Sequence, residues 1–362
     1  MNKLEKKHNL INKEITLRPY QSQSIDLLKS RLENNRFGLV VLAVGLGKSW
    51  VMVGIAEYFK RVVVLQPCLE LVKQNHSKLD GAGLNTTMVD SVHGKKNLDA
   101  EFIYTTPQSL VKNLDKIQEP DLLIVDEANV FYNGKLFDTI FAHWRHCKVA
   151  GFTATPYYYK RKTVYKNGWM CNQTTIVSIE ERYGPAVINI DREEGRRLGY
   201  SPEIQMRKVN IAPLTTEHLD NPIVYGKIIN EHLHGVSDLC KPLKNGIIYC
   251  DSIAHAELLS QTFNIPTVFG DTPKKRRVEL IEKFCAGRIP FLLTVGCLVR
   301  GFDRQDLENI ILLTNFNNAC ELEQVVGRLN RGTCKKTCWY NRRINTRKPV
   351  VGDTEIVKIK RL

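Results

Sequence analysis

A chain of 362 residues with 43% hydrophobic and 25% charged content has room for two domains with full cores, which excludes a disordered or fibrous polymer. Its 52 Lys and Arg against 38 Asp and Glu leave a net charge of +14, an excess that points to a polyanionic partner, nucleic acid ahead of an anionic membrane. The ten cysteines follow no framework spacing, so a disulfide scaffold is excluded and reduced thiols in a cytosolic compartment are expected.

The opening MNKLEKKHNLINKE has no apolar centre and does not read as a secretory signal. Apolar runs such as Leu39–Val44 fall far short of the ~20 residues of a membrane span. The first predicted element is a helix over Leu17–Asn34, where Pro19 fixes the entry turn and Ile25, Leu28 and Leu32 recur at helical spacing. Arg18 and Gln21 stand at its mouth. A glutamine amide offers donors and an acceptor that can read the N6 and N7 edge of adenine. The run Leu39–Val44 then predicts a buried parallel strand, and the stretch through it reads GLVVLAVGLGKS. Val44-Gly45-Leu46-Gly47-Lys48-Ser49 closes it as a phosphate loop, in which glycines let backbone N–H groups and a helix N-terminus point at an anion. Lys48 is placed to neutralise β- and γ-phosphates and the Ser49 hydroxyl to ligate magnesium. Leu42 stands where the full pattern has its first glycine.

A helix over 50–60, a strand over 61–66 stopped by Pro67, a helix over 70–79 and a strand over 101–105 follow. Thr106 caps the next helix. Alternation at this pitch predicts βαβ units and a doubly wound parallel sheet. In Asp121–Asn129 (DLLIVDEAN) a short apolar strand delivers two adjacent carboxylates to the C-terminal edge of the sheet, where ligands of such sheets bind. Asp126 is placed to hold magnesium through water, and Glu127 to orient the attacking water and accept its proton. Lys148–Pro156 is another buried strand, ending in Thr153 and Thr155. The segment that follows, YYYKRK at 157–162, suits stacking on bases and contact with phosphates; it equally suits a solvated charged loop with packed tyrosines. From 163 to 207 the periodicity fades and a connector is expected, with a first domain over 1–205, a second over 206–340 and a basic tail over 341–362.

The second half restarts the alternation with strands at 246–250, 267–269, 291–295 and 310–313. Asp251–Ser252 cap a helix through Phe263, and the helix 273–286 carries Val278, Ile281 and Phe284 on one face. ELEQVVGRLNR (321–331) is helical in spacing, so Gln324, Arg328 and Arg331 share a face; this suits either a surface salt-bridge face or an arginine pair reaching a γ-phosphate. From Arg331 onward ten Lys or Arg face two acids. Cys334-x3-Cys338 has zinc-like spacing, but no Cys or His follows it, so zinc is not expected.

RPYQ at 18–21, VGLGKS at 44–49, QPCLELVKQ at 66–74, TTPQSL at 105–110, DEAN at 126–129, TATP at 153–156, TVGCLVRGFD at 294–303 and QVVGRLNR at 324–331 resemble, in this order and nearly end to end, the superfamily 2 helicases of the DEAD/DEAH-box type. The resemblance implies two tandem RecA-like α/β domains, each a doubly wound parallel sheet, with ATP and Mg2+ in the cleft between them and nucleic acid across their tops. LVKQN (71–75), Tyr183–Gly184–Pro185 and Gly199–Tyr200 look most like the DNA-repair helicases of the RadD-like and UvsW-like kind. On this likeness Arg18 and Gln21 recognise the base, Val44 to Ser49 hold the phosphates, and Ser49 and Asp126 hold the metal. Glu127 serves the water, while Gly301 and Asp303 line the cleft from the second domain and Gln324, Arg328 and Arg331 complete it. Thr153 and Thr155 couple ATP state to strand grip, and Pro67, Thr106 and Thr294 belong to the same nucleic-acid and coupling set. The implied activity is an ATP-dependent DNA helicase or translocase acting on branched or damaged DNA, in the cytoplasm or nucleoid. An RNA helicase or a nucleotide-gated clamp with little turnover are the alternatives. Val44 in place of Thr, Asn129 in place of His or Asp, and Asn330 in place of Gly depart from the family pattern, and none removes a group that does chemistry.

Overall fold

The computed structural model describes residues 4–7, 16–76, 86–89, 97–131, 134–166, 169–296, 304, 306–316, 319–330, 332, 335–341 and 354–361. Gly301, Asp303, Arg331 and Cys334 lie outside the described residues. The chain forms two compact units, Met1–Asp191 together with Pro349–Leu362, and Arg192–Lys348.

In the first unit the strands are β1 (Phe37–Leu42), β2 (Val62–Leu65), β3 (Thr86–Val89), β4 (Phe102–Thr105), β5 (Leu122–Asp126), β6 (Lys148–Thr153), β7 (Tyr157–Lys166), β8 (Trp169–Ser178) and β9 (Ala186–Ile190). Seven of these make one parallel sheet in the order β3-β4-β2-β5-β6-β1-β9. Its central strands are continuous apolar runs, VVVL in β2 and LLIV in β5, all buried. A strand covered on both faces needs such a run. Leu39, Val41, Val63, Leu65, Leu123 and Val125 turn to one face, where Phe137, Ile140 and Trp144 cover them. The helix α1 (Pro19–Asn34) packs against β1 and against α2 (Lys48–Ala56), with Leu28 and Leu32 fully buried.

The second unit carries β10 (Ile204–Lys208), β11 (Gly246–Tyr249), β12 (Thr267–Val268), β13 (Phe291–Thr294), β14 (Asn309–Leu312) and β15 (Lys336–Tyr340). They form a parallel sheet in the order β10-β15-β14-β11-β13-β12. Period-two alternation sends Ile247, Tyr249, Ile310 and Leu312 to one face and Ile248, Ile311 and Leu313 to the other. Ser252 caps the helix Ile253–Phe263 by accepting from His255 N at 3.2 Å. In the helix Lys274–Cys285, Phe284 is buried and Ile281 packs half-buried against the core as expected, whereas Val278 is exposed and Leu280 is buried beside them. Cys338 lies in the core on β15, and burial pushes its thiol up to about 12.

The last strand, β16 (Thr354–Arg361), returns to the first unit. It pairs antiparallel with β8, which pairs antiparallel with β7, in a separate three-stranded sheet ordered β16-β8-β7. Where the sequence suggested a patternless connector, the chain makes most of this hairpin, then β9 and β10. The reason is compositional: β8 (WMCNQTTIVS) is half-buried along nearly all its length and shows no clean apolar alternation. Among the described residues no helix is long and apolar enough to cross a membrane.

Candidate active site

β1 ends at Leu42, and the chain turns through Gly45 at φ 87° and Gly47 at φ 77° before entering α2 at Lys48. An L side chain in that left-handed region costs roughly 1–2 kcal/mol, so glycine is the residue this loop requires. The Lys48 ammonium donates to Leu42 O at 3.2 Å and stands 3.9 Å from Glu127 Oε1. Leu42, in the place of the missing first glycine, therefore still takes part through its carbonyl.

The mouth of α1 braces this loop from below. Tyr20 OH donates to Leu46 O at 2.6 Å and Gln21 Nε2 donates to the same carbonyl at 3.1 Å. Gln21 Oε1 accepts from Arg18 N at 2.9 Å, and Arg18 Nη1 donates to Tyr20 OH at 3.2 Å. Gln21, expected to read adenine, is buried, with one amide hydrogen and its oxygen already engaged. Tyr20 is a site residue that sequence reasoning missed. Its only signal was its position inside RPYQ.

Asp126 closes β5 and is buried. Glu127 follows at φ 50°, a left-handed conformation for a non-glycine residue, and its N–H donates to Asp126 Oδ1 at 3.0 Å. Such a backbone costs on the order of 1 kcal/mol or more and holds only where its surroundings determine it. Two residues on, Asn129 Nδ2 donates to Thr155 Oγ1 at 2.9 Å, and Thr153 Oγ1 donates to Asn129 Oδ1 at 2.9 Å. Thr155 N donates to Thr153 Oγ1 at 3.0 Å, closing a buried network between the ends of β5 and β6. The buried Glu127 Oε2 has no hydrogen-bond partner among the described residues.

Because the sheet is parallel, its C-terminal strand ends share one edge. The phosphate loop, Asp126–Glu127 and Thr153–Thr155 therefore meet on the adjacent strands β5, β6 and β1. Pro67 follows β2 on that edge, next to Gln66, whose buried amide has neither atom hydrogen-bonded among the described residues. Thr106 follows β4, where it caps the helix Pro107–Val111, accepting from Ser109 N at 3.4 Å. In the second unit Thr294 ends β13 and Gln324 is buried in the helix Ala319–Val326. That helix tightens into a 3-10 turn at Gly327–Leu329, so Arg328 leaves the expected α-helical register. The residues present fit a nucleotide and a divalent cation: left-handed glycines, a loop lysine, and a carboxylate oxygen buried without a hydrogen bond.

A phosphate loop closing on a strand-end carboxylate pair, in the first of two parallel α/β sheets, defines a two-domain nucleotide-phosphate-binding protein. Residues 14–158 match the family of the type III restriction enzyme res subunit, and residues 230–333 match the helicase conserved C-terminal domain. The chain belongs to superfamily 2 of the helicases, DEAD/DEAH type, and its two sheets are tandem RecA-like domains. It is 26% identical over 286 residues to the 51.5 kDa protein of Lactococcus phage (isolate 7-9), covering 74% of this chain and 57% of that protein. It is 25% identical over 360 residues to the putative ATP-dependent helicase IRC3 of Saccharomyces cerevisiae, covering 86% of this chain and 49% of IRC3. The chain thus spans about half the length of these curated relatives. Among solved structures, the type ISP restriction-modification enzyme LlaBIII bound to DNA superposes with a TM-score of 0.69 at 15% identity, over 92% of this chain and 28% of that one. Dbp5 of S. cerevisiae bound to RNA and ADP BeF3 does so with a TM-score of 0.62 at 15% identity, over 91% of this chain and 85% of that one. At these identities the two structures share the fold.

Proposed function

We propose that this protein is an ATP-driven helicase or translocase acting on DNA, branched or damaged DNA above all. The observation that carries the proposal is the convergence of Lys48 on Glu127 at 3.9 Å across the mouth of the loop, with the second Glu127 oxygen buried and without a hydrogen bond among the described residues. Lys48 and the loop amides hold the β- and γ-phosphates of ATP. Ser49 and Asp126 would hold magnesium, which when bound supplies neutralising charge to those phosphates. Glu127 orients the water and accepts its proton. Asn129, Thr153 and Thr155 carry the state of this site along the strand edge toward Pro67 and Thr106. The reading extends to Gly301, Asp303, Gln324, Arg328 and Arg331, assigned to the nucleotide, and to Thr294, assigned to the strand. The net charge of +14 supports a nucleic-acid partner held mainly through its phosphates. DEAN rather than DEAD, with the Tyr183–Gly184–Pro185 segment, favours DNA over RNA.

The test is steady-state ATP hydrolysis at one low salt, bare and then with single-stranded DNA, forked DNA or single-stranded RNA. Strong stimulation by DNA, greatest with the fork, is expected, and Lys48→Ala should abolish it. Stimulation by RNA alone would move the protein to the RNA helicases, and no turnover with any of them would leave a clamp.

A further inference from the structure

We infer that Gln66 is a positioning residue of the nucleotide site, acting through one buried water on the hydroxyl of Ser49; the inference rests on the assignment of Ser49 to magnesium and adds a residue behind it. The strand register brings Gln66 there. Val63 and Leu65 turn to the face covered by Phe137, Ile140 and Trp144, as do Leu123 and Val125. Alternation therefore sends Val64 and Gln66 to the opposite face, together with Ile124 and Asp126. β2 and β5 pair in parallel as far as Leu65 opposite Val125, so Gln66 stands level with Asp126 one position further on. Its backbone is anchored, with Gln66 N donating to Thr105 O at 2.9 Å and Pro67 following.

On that face a small cavity lies between the sheet, α2 and the helix Leu69–His76. Its wall is largely apolar, and Ser49, Gln66, Asn75 and Tyr104 are the residues that bring polar side chains to it. Gln66 thus neighbours one proposed metal ligand along the sheet and shares a cavity with the other. The space open to the centre of a water molecule is about 10 Å³, which is room for a single water and for no larger ligand.

Gln66 is fully buried, and neither Nε2 nor Oε1 has a hydrogen-bond partner among the described residues. A buried amide left in that condition is costly, and a water taking two to four hydrogen bonds removes the cost. The amide offers that water both a donor and an acceptor, and the hydroxyls of Ser49 and Tyr104 offer the rest. Burial pushes the Tyr104 phenol up, so it stays a neutral hydroxyl. A serine side chain has three staggered rotamers, and a ligand that must rotate into place binds its ion less tightly. A water fixed on the anchored Gln66 amide holds the Ser49 hydroxyl in one of them.

The test is a double-mutant cycle on the full chain, with wild type, Gln66→Met, Ser49→Ala and the double variant. Equilibrium binding of fluorescent methylanthraniloyl-ADP is followed over a magnesium chloride series and in EDTA. Methionine nearly keeps the volume of glutamine within an apolar wall, and thermal melting checks folding. Gln66→Met should weaken magnesium-dependent binding roughly tenfold and leave binding in EDTA unchanged. In the Ser49→Ala background it should change nothing further. Wild-type magnesium-dependent binding by folded Gln66→Met overturns the inference alone, and so does an equal loss with and without Ser49. If Ser49→Ala itself leaves magnesium-dependent binding unchanged, the metal assignment of Ser49 fails and the inference fails with it. Should Gln66→Met not fold, Tyr104→Phe removes one oxygen from the same cavity and is read by the same criteria, with an expected loss of roughly two- to fivefold.

Discussion

The two parallel sheets pin their edge strands alike and finish their middle strands differently. In the first, Thr105 at the end of β4 donates to the carbonyl of Val89, its register partner on β3, at 2.6 Å. In the second, Thr294 at the end of β13 donates to the carbonyl of Val268, its register partner on β12, at 2.9 Å. Both threonines are fully buried, and a buried hydroxyl is costly unless hydrogen-bonded, so each pair satisfies a hydroxyl and a strand-end carbonyl together. The middle strands part company. β5 and β6 end in Asp126, Glu127 and the Asn129–Thr153–Thr155 network, whereas β11 and β14 run out into Cys250 and Leu313, both buried, with the Cys250 thiol pushed up by burial. A device found in both sheets belongs to the fold. Polar groups crowded onto the central strand ends of the first sheet alone mark where its chemistry lies.

Five substitutions break or sharpen this contrast. Glu127→Gln should have the largest effect, lowering ATP hydrolysis on the order of 10²- to 10⁴-fold with nucleotide still bound. Single-turnover hydrolysis beside nucleotide titration checks it, and wild-type turnover would place the chemistry elsewhere. Asn129→Ala takes the donor from the buried Thr155 hydroxyl and one of two acceptors from the buried Thr153 hydroxyl, which keeps Thr155 O at 3.0 Å, and should cost about 1–2 kcal/mol in urea denaturation. Thr105→Val and Thr294→Val should each cost about 1 kcal/mol, and clearly unequal losses would end the equivalence of the two edges. The smallest effect falls in the second unit. Arg304, itself buried, donates to Asp306 Oδ1 at 2.7 Å and Oδ2 at 3.0 Å, and these bonds hold the Asp306 carboxyl below the usual carboxylate range. A depressed carboxyl stabilises the folded state above its unfolded pKa of about 3.9, and that stabilisation is lost as pH falls through the folded value. Asp306 is largely exposed, so Asp306→Asn should cost less than about 1 kcal/mol near neutral pH, and the gap to wild type should close below about pH 4. Denaturation at neutral and acid pH measures it.

By itself the sequence determined the elements and the order of the chemical groups. Continuous apolar runs place β1, β2, β5, β11, β13 and β14 within a residue or two and the start of β6 at Lys148, because a strand buried on both faces needs such a run. Spacing along one stretch of chain likewise locates the glycine loop, the Asp126–Glu127 pair and the caps at Thr106 and Ser252, whose partners lie within a few residues. Only the tertiary structure decided the rest. Tyr20 reaches Leu46 across 26 positions of sequence, Asn129 reaches Thr155 across 26, and β16 pairs with β8 from the other end of the chain. Those partners are chosen by how the sheets stack and register, and a half-buried strand of threonine, asparagine and glutamine carries no period that announces its neighbour.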